Sequence, residues 1–214
     1  MDRLDDTSGM NGLAETERKT HQSVWSHNGY RPKSPGEHIA RAVKLDTLFK
    51  RLGVHSILDA GCGSGKTMRF FLESDLDWFE LTGLDIAANC LDPWFSDNDF
   101  EHLLQFGSLW DPRALPNTFD AVVCTDVMKH IPANRVDDVL YNLRRWSSKL
   151  TFLGIALFDD GFETMQLNEP QYLTVKPPKW WIQRIEQVGY HIMSQQVSHQ
   201  DGQPQSLYVM ATPI

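Results

Sequence analysis

The chain has 214 residues, a formal net charge of −8 and a sequence pI near 5.4. That length supplies one domain with a sizeable core, and the acidic balance argues against broad non-specific binding to nucleic acid. Cys62, Cys90 and Cys124 form neither a disulfide framework nor a CxxC pair. No apolar run approaches membrane-spanning length, and the first twenty residues lack a signal-peptide core. The expected setting is therefore reducing and cytoplasmic, with no membrane partner.

Residues 1–20 are polar and acidic and read as a disordered or loosely held tail. Residues 21–35 set Val24, Trp25 and Tyr30 among His, Asn, Gly and Pro, which suits either a lid over the site or an aromatic arm packed on the domain. A helix is expected from about residue 34, with Ile39, Val43, Leu48, Phe49 and Leu52 as its apolar face and Gly53 at its end. The expected organisation is thus a tail over 1–20 and a single domain over 21–214, in which 21–53 form a lid and helix region.

Residues 55–58 predict a first strand. It runs into Asp59-Ala60-Gly61-Cys62-Gly63-Ser64-Gly65, an acid followed by glycine at every second position. Such a turn lets a ligand lie against the backbone and aims free N–H groups and a helix's positive end at it. A helix over 66–76 follows, with Met68, Phe71 and Leu72 facing in. Residues 79–84 form a second strand ending at Asp85. Residues 86–91 start a short helix that Pro93 cuts off. A third strand spans 102–106, and Gly107-Ser108-Leu109-Trp110 is the loop after it.

Residues 119–124 make a fourth strand. Residues 132–146 form an amphipathic helix, with Val136, Val139, Leu140, Leu143 and Trp146 at helical spacing. Residues 150–158 are nearly all apolar, as suits a strand covered on both faces. After a long polar loop over 159–178, a helix over 179–188 turns Trp181, Ile185 and Val188 inward. Two late strands, 190–197 and 206–212, are joined by a short turn and pair antiparallel. The alternation of strands and helices implies an α/β fold with a parallel sheet. Its ligand crevice lies beyond the carboxyl ends of the strands.

Two families fit the glycine loop. Asp59-x-Gly61-x-Gly63-x-Gly65 resembles the first motif of class I S-adenosylmethionine-dependent methyltransferases, and Ala60 to Thr67 fits a relaxed P-loop. The loop alone does not decide. Asp85, placed at the end of the second strand to hold ribose hydroxyls, is unneeded in a P-loop protein. The fourth-strand segment Phe119-Asp120-Ala121-Val122-Val123-Cys124-Thr125-Asp126-Val127-Met128-Lys129-His130 looks like the fourth motif of the small-molecule methyltransferase branch. The late antiparallel pair also suits that fold.

The methyltransferase resemblance implies a Rossmann-like, seven-stranded, mostly parallel sheet with helices on both faces and a late antiparallel hairpin. It implies S-adenosyl-L-methionine as cofactor. Asp59, Ala60, Gly61, Cys62, Gly63 and Gly65 would shape the pocket for its methionine part. Asp85 would take the ribose, Ile86 would pack on the adenine, Ser108 and Leu109 would contact the base, and Asp126 and Val127 would line the floor. His130 reads either as a packed structural histidine or as a general base. Lys129 stands where some relatives carry a metal-binding glutamate, so no metal is expected there. Lys66 is expected to face solvent.

The acceptor is expected to be a small molecule, such as a sugar or natural-product intermediate, bound among Trp25, Tyr30, Trp110, Tyr172 and Trp180. Nucleic acid is not an expected partner. The alternatives are a P-loop NTPase or kinase built on Gly61 to Thr67, and a cofactor-binding module without catalysis.

Overall fold

The computed structural model describes residues 7–26, 31, 36–158 and 172–214, and side chains from residue 14 onward within the first segment. Three helices precede the sheet: α1 (Thr7–Ser26), α2 (Gly36–Ala42) and α3 (Leu45–Arg51). Then come β1 (Ser56–Ala60), α4 (Lys66–Ser74), β2 (Glu80–Asp85), α5 (Trp94–Asp97), β3 (Leu104–Phe106) and β4 (Phe119–Thr125). The chain finishes with α6 (Val136–Trp146), β5 (Ser147–Ala156), α7 (Pro178–Gln187), β6 (Tyr190–Gln200) and β7 (Gln203–Pro213).

One seven-stranded sheet has the order β3-β2-β1-β4-β5-β7-β6. The first five strands in that order are parallel, and β7 runs antiparallel between β5 and β6. Strand order reverses between β1 and β4, so the loops after these strands part and leave a crevice at their carboxyl ends.

Period-two alternation divides the strands between two cores. Leu58, Val122, Cys124 and Leu153 face α6 and α7 with Leu140, Trp146, Trp181 and Ile185. Ile57, Ala121, Val123 and Phe152 face α3 and α4 with Phe49, Met68 and Phe71. The helical spacing of Val136, Val139, Leu140, Leu143 and Trp146 buries all five, as their pattern requires.

Four expectations are corrected. The segment over 1–20 is not a loose tail from Thr7 onward, because α1 forms there. Charged pairs three and four residues apart support it, among them Arg18 Nε to Glu15 at 2.8 Å. Burial of Val24 and Trp25 anchors its far end. Second, the helix expected from residue 34 breaks at Lys44, which is left-handed at φ 51°. The break turns both Ala40 and Leu45 inward and leaves Val43 and Leu52 exposed.

Third, residues 86–91 form a turn rather than a helix. Asp85 Oδ1 accepts the Ala87 N–H at 2.9 Å and closes that turn locally. Pro93 introduces α5 instead of ending a helix, since its fixed φ suits a helix start. Fourth, residues 102 and 103 of the expected third strand belong to a 3₁₀ turn, Glu101–Leu103, so β3 is shorter.

Candidate active site

The loops after β1, β2, β3 and β4 surround one cleft of about 950 Å³, counted to its open mouth. The glycine loop forms one wall. The Gly61 and Cys62 N–H groups donate to Leu84 O at 2.7 and 3.2 Å, tying the loop to β2. Gly61 has φ +78°, and a Cβ there would lie 2.4 Å from Val127. Gly63 has φ +51°, and a Cβ there would lie 2.8 Å from the Trp25 ring. Side chains are therefore excluded from this wall by both conformation and space.

Asp85 ends β2 beside the loop. Its Oδ2 accepts the Gly63 N–H and its Oδ1 the Ala87 N–H, both at 2.9 Å. Burial pushes its carboxyl up, against the pull of those two N–H groups and of His21. Asp59, at the end of β1, is also buried, and its Oδ2 has no hydrogen-bond partner among the described residues. Burial first, then the Asp85 charge, raises the Asp59 carboxyl to about 7. A buried acid with an orphaned oxygen on a cleft wall is complementary to a ligand cation or donor.

Asp126 is left-handed at φ 63° and donates its N–H to Gly154 O at 2.7 Å. This bend carries the chain from β4 into a 3₁₀ turn, Met128–His130. Lys129 is buried there. Its Nζ lies 3.0 Å from both Asp126 oxygens and 3.1 Å from the Tyr172 hydroxyl. The Leu173 and Thr174 N–H groups donate to Lys129 O, which docks the end of the long loop onto this turn.

From the other side, α1 presents Glu17, His21 and Trp25 to the cleft. A methyltransferase domain family matches the chain over residues 27–198, about four-fifths of its length. The chain belongs to this methyltransferase family.

Solved structures agree with the fold. An N1-methyltransferase of 1,6-didemethyltoxoflavin from Burkholderia thailandensis, with bound 1,6-didemethyltoxoflavin and S-adenosylhomocysteine, is 14% identical at TM-score 0.68, over 100% of this chain and 93% of its own. Magnesium protoporphyrin IX methyltransferase from Synechocystis PCC 6803, with bound SAM, is also 14% identical, at TM-score 0.61, over 99% and 100%. A mitomycin 7-O-methyltransferase is 12% identical at TM-score 0.57, over 95% of this chain and 55% of its own. No curated protein matches the chain in sequence.

In this methyltransferase, Asp59, Gly61, Cys62, Gly63, Asp85, Ile86, Ser108, Leu109, Asp126, Val127 and His130 all border the cleft, as do Trp25 and Trp110. Ala60 closes β1 in the core, and Gly65 caps α4 against Phe95, so neither is among the described lining residues. Tyr172 stands behind His130, its ring edge-on at 5.6 Å. Trp180 packs on Trp181 and under Arg184 on α7, outside the described cleft lining. Tyr30 lies outside the described residues.

Lys66 does not simply face solvent: it is half-buried and lines the cleft, because α4 begins at the cleft wall. Glu17 and His21 escaped the sequence reading. Their signal was present, since residues 17, 21 and 25 recur at fours and share one helix face. Among the described residues, one group has metal-ligand spacing: Cys62, Asp85 and Cys90, with ligand atoms within 4.8 Å. All three cysteines are free and buried.

Proposed function

We propose that this chain is an S-adenosylmethionine-dependent methyltransferase that carries a methyl group to a small-molecule acceptor by in-line displacement. The observation that carries the reading is the pair of buried acids, Asp59 with an orphaned oxygen and Asp85 against Gly63, flanking one glycine-walled cleft. The residues present fit the cofactor. Asp59 would hold the ammonium of its methionine part, and the bare Gly61–Gly63 backbone would lie along the methionine chain. Asp85 has lone pairs left for the ribose hydroxyls. Ile86, Ser108 and Leu109 would enclose the adenine, and Asp126 and Val127 the floor.

When bound, the sulfonium supplies an electrophilic methyl group. The protein's task is then to align the acceptor and keep water out. Trp25, Trp110 and His130 border the cleft and would face that acceptor. Lys129 places an ammonium on Asp126, which disfavours a cation at that position. A small metabolite or natural-product intermediate suits the net acidity of the chain. The relatives described above act on a toxoflavin precursor, a porphyrin and a mitomycin, which supports the same class. No described helix is long and apolar enough to cross a membrane, and three buried thiols suit a reducing cytoplasm.

Calorimetry with S-adenosylhomocysteine tests the proposal. We expect saturable binding to the wild type. In Asp85→Ala, loss of one or two charge-assisted hydrogen bonds should weaken it by roughly 10-fold to several hundred-fold. No binding to the folded wild type overturns the reading.

A further inference from the structure

The face of α1 that borders the cleft passes three different parts of it. Near the carboxyl end of the helix, Trp25 packs on Gly63, so closely that a Cβ there would lie 2.8 Å from its ring. One turn back, His21 meets the His130 ring edge-on at 5.6 Å and is acted on electrostatically by Asp85, at the end of β2. One turn further back stands Glu17, which shares the cleft with Ile86, Ser108, Leu109 and Trp110. Its helical neighbours Ala14 and Arg18 reach the same loop, bordering a second hollow with Ile86, Ser108 and Trp110. From Trp25 to Glu17 the helix advances about 12 Å. Residues 25, 21 and 17 therefore follow, in that order, the glycine loop, the strand-ending acid and the loop after β3.

Glu17 is poorly satisfied where it stands. Its side chain is 16% exposed, and its Oε2 lies 3.8 Å from His21 Nε2, beyond hydrogen-bond reach. Neither of its oxygens holds a hydrogen bond among the described residues. Burial keeps His21 below its ordinary range, so that neighbour offers no lasting charge, and burial pushes the Glu17 carboxyl up. The other acids at this end are taken. Glu15 pairs with Arg18 and Lys19, and Asp111 with Arg113. Ser108 Oγ already accepts the Trp110 N–H, at 3.4 Å. A carboxylate so placed is complementary to a ligand N–H.

We infer that Glu17 is a cofactor-recognition residue, whose carboxylate accepts a hydrogen bond from the exocyclic amino group of the adenine and makes the cleft select a 6-aminopurine. The inference rests on the methyltransferase reading. That reading lays the methionine part on the glycine loop, the ribose on Asp85 and the base among Ile86, Ser108 and Leu109, which is the order in which α1 runs along the cleft. At the base end, Ile86, Leu109 and Trp110 present apolar surface to a flat ring. The amino group of adenine donates two N–H bonds, whereas its ring nitrogens accept. An ionised carboxylate only accepts, so Glu17 pairs with the amino group and disfavours a base that presents a carbonyl oxygen there.

The probes are S-adenosylhomocysteine and its 6-deamino analogue, in which hydrogen replaces the amino group, each titrated calorimetrically at pH 8. The wild type should bind the analogue roughly 10-fold to 100-fold more weakly, the loss of one charge-assisted hydrogen bond. Glu17→Leu should weaken S-adenosylhomocysteine by a similar factor and leave the analogue within about threefold, so that the variant binds the two ligands nearly alike. Retained affinity for the analogue also shows that the variant folds. Glu17→Gln, whose side-chain oxygen still accepts, should restore part of the preference.

Equal binding of the two ligands to the wild type overturns the inference, as does a preference that survives unchanged in Glu17→Leu. Equal weakening of both ligands in Glu17→Leu overturns it too, since Glu17 would then only support α1. Failure of S-adenosylhomocysteine to bind the folded wild type overturns the methyltransferase reading itself, and this inference with it.

Discussion

Burial raises the Asp59 carboxyl to about 7, and this one residue links the cleft to the stability of the fold. In the unfolded chain an aspartate ionises near 3.9. Between about pH 4 and pH 7 the folded protein holds a proton that the unfolded chain has released, so stability falls as pH rises through that window. A shift of about three units corresponds to an upper figure of about 4 kcal/mol.

Asp59→Asn removes the buried charge. At about 2–4 °C per kcal/mol for a chain of this size, we expect it to raise the Tm of the ligand-free protein at pH 8 by at least a few degrees. At pH 4 the two proteins should melt together. Binding should respond oppositely. Wild-type affinity for S-adenosylhomocysteine should fall below pH 7 as Asp59 takes up its proton. Asp59→Asn should bind roughly 10-fold or more weakly at pH 8, with a flatter pH profile. Differential scanning calorimetry and titration calorimetry at the two pH values measure both effects. A variant that melts with the wild type at pH 8 removes the argument from burial.

At the scale of elements, α1 is where sequence reasoning lost most. Its polar composition masks a helix held by intrahelical charge pairs and by contacts distant in sequence. Asn89 Nδ2 donates to Gln22 O and to Ser26 Oγ, both at 3.0 Å, and Arg31 bonds Cys90 O at 3.3 Å. The turn after β2 therefore clasps the end of α1 and sets Trp25 against Gly63. None of those partners is signalled locally. Asp85, by contrast, was legible because an acid that ends a strand beside a glycine loop stands at the crevice beyond the strands' carboxyl ends.

We expect amide exchange in α1 to slow when S-adenosylhomocysteine fills the cleft. Asn89→Ala should speed α1 exchange in the free protein and weaken ligand binding several-fold, while exchange in β1, β4 and β5 stays unchanged. Hydrogen exchange read by mass spectrometry separates these segments. Equal α1 exchange with and without ligand would mean that α1 is a packed arm rather than a cover.

At the scale of the whole molecule, the sheet was legible because its signals are local and repeated. Apolar strands bounded by turns alternate with amphipathic helices, and period-two burial follows from Ile57-Leu58 and Ala121-Val122-Val123-Cys124. The wall opposite the glycine loop was legible only in part: Trp25 and Trp110 were named, but Glu17 and His21 were not, because α1 meets the other loops only in three dimensions.

The topology also bears on the rival reading of the glycine loop, since Lys66 does line the cleft. A P-loop places its lysine on nucleotide phosphates, whereas the methyltransferase reading places Asp85 on a ribose. Ligands that bind only the folded state stabilise it, by about 2.7 kcal/mol at a hundred times Kd. That corresponds to a Tm increase of roughly 5–10 °C for a chain of this size. We expect S-adenosylhomocysteine to produce this shift in the wild type, to keep it nearly whole in Lys66→Ala, and to lose most of it in Asp85→Ala. ATP with magnesium should produce none. Because Asp85 also accepts the Gly63 and Ala87 N–H bonds, Asp85→Asn accompanies it, to separate loss of the ligand from loosening of the loop. A shift with magnesium ATP that vanishes in Lys66→Ala, and no shift with S-adenosylhomocysteine, would assign the loop to phosphate instead.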